Sequence, residues 1–159
     1  MWAGSVVSIH LARAEGAATL AVPEVRAVVG AGLEGDRYFQ PAAGGGPERD
    51  VTLIQQEALE AVAREHGIVL APGQHRRNVV TAGVPLNDLI GQEFQVGQVR
   101  LRGLELSEPC RYLEELTGRP GLLRALVHRG GLGARILGGG VIRVGDPVVP
   151  APRPSTVAP

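Results

Sequence analysis

Turn residues constrain this chain more than any other feature. Its 159 residues include 23 Gly and 12 Pro, scattered so that no apolar stretch runs far before it is broken. The intervening stretches are short and rich in Val, Leu and Ile. Val6 to His10, Val25 to Val29 (ending at Gly30-Ala31-Gly32), Val51 to Ile54, Arg77 to Thr81 and Glu93 to Val96 read as strands. So do Gln98 to Leu106, Ala134 to Leu137 and, as the final strand, Val141 to Val144, with Gly145-Asp146 as the turn between Val144 and Pro147-Val148-Val149. Gln56 to His66 is the clearest helix, since Leu59, Val62, Ala63 and His66 recur at helical spacing and Gly67 is placed to cap it. A short helix is expected over Cys110 to Leu116, closed by Gly118, and another from Pro120 to His128. Pro41 to Pro47 reads as a flexible loop. Strands without regular strand–helix alternation exclude a doubly wound α/β fold and predict a mainly β chain with α insertions, closed as a barrel. One domain is expected over residues 1–149, followed by a disordered Pro-rich tail over 150–159.

Charge and composition remove several functional classes. Formal net charge is zero, so neither a nucleic-acid nor a membrane partner is expected. No apolar run approaches the roughly 20 residues that span a bilayer. Met1 to His10 alternates like a strand and lacks the pattern of a signal peptide, which predicts a cytoplasmic protein. The single cysteine excludes an intrachain disulfide. All 16 basic residues are Arg. Without lysine there is no Schiff base to pyridoxal phosphate and no P-loop, so an anionic ligand must be held by Arg forks or backbone N–H groups.

Four segments carry candidate chemistry. Cys110 follows Pro109, which favours an extended approach, and precedes an expected helix with Arg111 adjacent. Helix N–H groups and positive charge there favour thiolate, fit to be a nucleophile, a soft metal ligand or a persulfide carrier. A buried cysteine acting as a small hydrophobe is the plainer reading. In Gly32-Leu33-Glu34-Gly35-Asp36-Arg37-Tyr38, two glycines allow a tight turn that sets the Asp36 carboxylate beside the Arg37 fork. Arg37 then holds a phosphate, or Asp36 and Arg37 brace the turn. In His75-Arg76-Arg77-Asn78, strand geometry puts Arg76 and Asn78 on one face and Arg77 on the other. Arg129 to Arg135 is a Gly-rich turn flanked by Arg, suited to approach phosphate or to serve as a plain turn. The four histidines lack zinc-ligand spacing. A Cys/His/Asn hydrolase would need Cys110, Asn78 and either His75 or His128 to meet in space.

In order along the chain these segments resemble the MOSC domain, named for the C-terminal domain of molybdenum cofactor sulfurases. The resemblance runs through Gly32 to Tyr38, Val51-Thr52-Leu53-Ile54, Arg77-Asn78-Val79, Pro109-Cys110, Gly130 to Arg135 and Ile142 to Val148. It implies a β-barrel of the pyruvate-kinase type and a site for the molybdenum cofactor, a pyranopterin carrying a phosphate. Cys110 then corresponds to the family cysteine, a molybdenum ligand or sulfur carrier. Arg76 or Arg77, with Asn78, would face phosphate and pterin, with Arg76 favoured because it shares the face of Asn78. Asp36, Arg37 and Arg135 would complete the anion site, and Ser107 and Asn78 would orient ligands. Reduction of N-hydroxylated substrates, sulfur transfer with a redox or sulfur-transfer partner, and a ligand-free interaction domain all remain open. Family reductases carry further β-rich or C-terminal segments, so for a chain read as a single domain a homodimer or partner is a further expectation.

Overall fold

A computed structural model describes residues 1–40, 49–109 and 111–152. Among the described residues, eleven strands and three α-helices follow one another: β1 (Gly4–Leu11), β2 (Leu20–Val22), β3 (Glu24–Val28), β4 (Gly32–Leu33), β5 (Val51–Gln55), α1 (Gln56–His66), β6 (Val79–Ala82), β7 (Glu93–Val96), β8 (Val99–Leu106), α2 (Arg111–Thr117), α3 (Leu122–Ala125), β9 (Leu132–Gly138), β10 (Gly140–Arg143) and β11 (Pro147–Pro150). A 3-10 turn, Leu86–Leu89, joins β6 to β7. The order β11-β7-β8-β9-β5-β6-β1 closes through β11–β1 pairing, giving a seven-stranded barrel with β2 appended to β1. β3, β4 and β10 form a small separate sheet. The mainly β barrel expected from the punctuation is therefore the fold.

One pair is parallel, β5 with β6, with Leu53 opposite Val79. A parallel pair needs a crossover, and α1 supplies it. Both faces of this wall are covered, which explains its near-continuous apolar sequence. Leu53 and Val79 point into the barrel core with Phe94, Leu101 and Ile136. Their neighbours Ile54 and Val80 point outward beneath Val62 of α1, Leu113 of α2 and Leu122 of α3.

Several boundaries differ from expectation. The helix expected over Pro120 to His128 is only Leu122–Ala125, because Gly121 at φ 87° and His128 at φ 63° lie in the left-handed region. The strand expected from Arg77 begins at Val79, since Arg76 at φ 59° is still in a turn, donating its N–H to Gly73 O at 3.0 Å. β11 runs through Pro150, and Ala151 donates its N–H to Glu93 O at 3.2 Å, so paired chain extends past the expected start of the tail. Residues 153–159 and the Pro41 to Pro47 loop lie outside the described residues. Among the described residues no helix is long and apolar enough to cross a membrane.

Candidate functional site

At one end of the barrel, the end of β1, the entry to β5, the lead-in to β6 and the end of β8 surround a cleft of about 380 Å³. It gathers Asp36, Arg37, Arg76, Arg77, Asn78 and Ser107, each singled out from the sequence. Arg135 is not there: it lies exposed on β9, opposite Arg102 of β8. Cys110 lies outside the described residues.

The turn from Gly32 to Phe39 is docked onto the end of β1 by a reciprocal pair. Arg37 donates its backbone N–H to Ala12 O at 2.7 Å, and the Ala12 N–H is donated to Asp36 Oδ1 at 3.0 Å. Asp36 Oδ2 accepts the Tyr38 N–H at 3.4 Å. The Asp36 carboxylate thus braces the turn through backbone donors rather than through Arg37. The Arg37 guanidinium instead turns to Tyr38, donating to its hydroxyl and lying 4.4 Å from its ring centroid.

Asn78 is a hub. Its Oδ1 accepts the Thr52 N–H at 3.0 Å and the Thr52 hydroxyl at 3.2 Å. Its Nδ2 donates to His10 O at 3.2 Å and to Asp36 Oδ1 at 3.5 Å. The amide therefore ties β1, β5 and the Asp36 turn together at the head of β6, and its bonding capacity goes to the framework.

The two arginines beside it have different neighbours. Arg76 donates Nη1 to Ala17 O at 2.6 Å. Arg77 donates Nε to Gly130 O at 2.7 Å and Nη2 to Ser107 O at 2.9 Å, clamping two separate strands of chain. Strand alternation does not relate these side chains, because the left-handed backbone at Arg76 breaks it.

The Gly-rich segment has a structural task. A Cβ on Gly131 would lie 2.0 Å from Leu53 O, and one on Gly130 would lie 2.4 Å from Ser107 O. These glycines let the chain press against β5 and against the Ser107–Pro109 segment. None of them lines the cleft.

Sequence reasoning missed Arg49, Asp50, Thr52 and His10, which also line the cleft. Arg49 donates Nη1 to Ser107 Oγ at 3.0 Å. Asp50 Oδ2 accepts the Ile136 N–H at 2.9 Å. The available signal was Arg49-Asp50 immediately ahead of an apolar strand, a polar pair at a strand mouth.

The cleft therefore presents the guanidinium groups of Arg37, Arg49, Arg76 and Arg77 against the carboxylates of Asp36 and Asp50, both bonded to backbone N–H groups. That balance suits an anion, and the volume suits a small organic ligand. Tyr38 and Tyr112, 50% and 43% exposed, are the aromatic side chains lining it. Among the described residues no cluster of three or more His, Cys, Asp or Glu side chains could hold a metal.

Comparison with known proteins agrees with this architecture. No curated protein matches the chain. It is similar in structure to YuaD from Bacillus subtilis, with TM-score 0.77 and 19% identity, covering 93% of this chain and 97% of that one. YiiM from Geobacillus stearothermophilus gives TM-score 0.71 at 19% identity, covering 94% and 76%. YiiM from Escherichia coli gives 0.67 at 20%, covering 99% and 73%. At such identities the likeness is one of fold. The MOSC domain profile matches residues 40–149, most of the chain, and the chain therefore belongs to the MOSC domain family.

Proposed function

We propose that the cleft binds the molybdenum cofactor, with which MOSC domains are associated. The observation that carries this reading is the excess of guanidinium groups around a cleft of about 380 Å³ whose carboxylates are tied to backbone N–H groups. The donor set fits the group: Arg49 and Arg76 would hold the phosphate, and Tyr38 and Tyr112 would flank the planar pterin. Cys110 would supply a soft thiolate to the metal. Support for placing it there is that Ser107 and Tyr112, on either side of it in sequence, both line the cleft. When bound, the cofactor supplies two-electron oxo-transfer chemistry, such as reduction of an N-hydroxylated substrate. The protein's share is to bind and orient: Asn78 and Arg77 hold the cleft walls, and the free arginine donors take the anion.

The test is expression in a cofactor-producing host, purification without oxygen, and measurement of bound molybdenum and pterin. The expected result is retention of both by the native protein, loss of molybdenum but not pterin in Cys110→Ala, and loss of both in Arg49→Ala/Arg76→Ala. Absence of pterin from the native protein would overturn the reading. Sulfur transfer by Cys110 is a second reading, favoured by the single cysteine, because no other thiol in the chain resolves a persulfide. It predicts one added sulfur by intact mass after treatment with a persulfide donor, and delivery to a partner protein. A cytoplasmic setting, where a lone thiol stays reduced, suits both readings.

A further inference from the structure

A second cavity, of about 490 Å³, lies on the outer side of the barrel wall. It is bordered by α1, by β1 and β6, and by the segment from Val69 to Gly73, and it opens to solvent beside Val69, which is 65% exposed. Its walls are mostly aliphatic, with Leu59, Val62, Ala63, Leu70 and Val80 contributing, and α1 adds Gln56 and the exposed Glu60. The alternation of β1 explains the polar residues on the barrel side: Ile9 faces the core, so Ser8 and His10 face this cavity. His75 joins them, its ring edge-on to His10 with centroids 5.0 Å apart.

His75 is 3% exposed. Its Nδ1 accepts the Arg77 backbone N–H at 2.9 Å. A backbone N–H is a donor only, so Nδ1 carries no proton and the neutral ring bears its proton on Nε2. Burial first, then the neighbouring His10 and Arg77 charges, hold the ring neutral, its pKa lowered to about 3. Ser8 Oγ and His10 Nε2 are bonded to one another at 2.8 Å. Among the described residues, His75 Nε2–H has no such partner. His75 lines this cavity and not the arginine cleft, so that donor is offered here. A ligand acceptor seated in the cavity takes that N–H as an ordinary neutral hydrogen bond.

We infer that this cavity is a binding site for a small, uncharged, largely apolar molecule carrying one hydrogen-bond acceptor, which takes the Nε2–H of His75. The one charged side chain lining the cavity, Glu60, is exposed to solvent, so an anion would meet only repulsion and a cation only a solvated carboxylate, neither of which offsets desolvation against the aliphatic walls. The site is independent of what the arginine cleft binds, although His10 lines both.

The probes are acetophenone and ethylbenzene, similar in shape, of which only the first has an acceptor. Methyl resonances of Leu59, Val62 and Val80 and the ring resonances of His75 are followed during titration of the native protein. Acetophenone is expected to shift these signals and to bind about threefold to tenfold tighter than ethylbenzene, the range given by one neutral hydrogen bond. Leu59→Trp, which fills the cavity, should abolish both titrations, and His75→Phe should equalise the two affinities. The inference is overturned if neither probe shifts these signals, if ethylbenzene binds as tightly as acetophenone, or if Leu59→Trp leaves binding intact. If His75→Phe does not fold, the native comparison and Leu59→Trp decide the matter.

Discussion

Asn78 allows the sharpest quantitative test of the cleft, because replacing one atom group reverses one of its interactions and keeps the others. Asn78→Asp retains an oxygen to accept the Thr52 N–H and hydroxyl. It replaces the Nδ2 donor by an oxygen facing His10 O and, 3.5 Å away, Asp36 Oδ1. The lost neutral hydrogen bond costs about 1 kcal/mol. Two unit charges at that separation repel by about 5 kcal/mol at an effective dielectric near 20, and proton uptake limits the total. The expected destabilisation is about 3–5 kcal/mol at pH 8. It should shrink toward about 1–2 kcal/mol near pH 5, where a proton on the new carboxyl removes the repulsion and restores a donor. Asn78→Ala should cost about 2–4 kcal/mol with no such pH dependence, since it leaves the Thr52 N–H and His10 O without this partner. Urea unfolding of the three proteins at both pH values measures the differences. The hub assignment fails if Asn78→Asp costs under about 1 kcal/mol at pH 8, or if its deficit does not change with pH.

The folded-state pKa of His75, about 3, lies below the ordinary value of 6.5, so the unfolded chain binds the proton that the folded chain refuses. Stability from this residue is complete above pH 6.5 and is lost as pH falls toward 3, by about 1.4 kcal/mol per pH unit, a slope that thermal or urea unfolding should show and that His75→Gln should reduce. Gly131→Ala places a Cβ 2.0 Å from Leu53 O at a φ of 112°, and calorimetry should show a loss of about 3–5 kcal/mol or no folding. Arg77→Lys keeps the charge but not the two-carbonyl clamp on Gly130 O and Ser107 O. Hydrogen exchange of residues 107–131 should speed up about tenfold, corresponding to loss of roughly 1.4 kcal/mol in local opening.

Local periodicity made the barrel legible, but the roles of the cleft residues depend on partners remote in sequence. α1 matches its expected bounds because its apolar spacing and its stop agree, with Gly67 at φ 68° donating its N–H to Ala63 O. β5 and β6 were visible from short, mostly apolar stretches, and β7 and β8 from apolar–polar alternation. β2 and β4, of three and two residues, carry no period to detect. The motif around Asn78 was visible as a motif, yet its bonds reach Thr52, Asp36 and His10, separations of 26, 42 and 68 residues. Residue type fixes how many donors a side chain has, and only the fold decides how many remain. The same applies to Gly130 and Gly131. A Gly-rich turn between arginines suits phosphate, but here the absent Cβ atoms admit backbone carbonyls of the protein itself.

The use of arginine alone now acquires a structural meaning. A guanidinium carries five N–H donors in a planar fork, whereas an ammonium is a compact charge with three. Arg49 gives one N–H to Ser107 Oγ, and Arg76 gives one to Ala17 O. Each therefore holds a cleft wall in place and keeps donors for an anion, two tasks that a lysine would serve with fewer donors and no plane. Arg77 uses the same fork differently, bridging the carbonyls of Gly130 and Ser107. Chain-building and ligand-holding thus fall to one residue type in one cleft. The order of these arginines along the sequence does not reveal which does which: neighbours Arg76 and Arg77 are divided by a single left-handed residue rather than by the two faces of a strand.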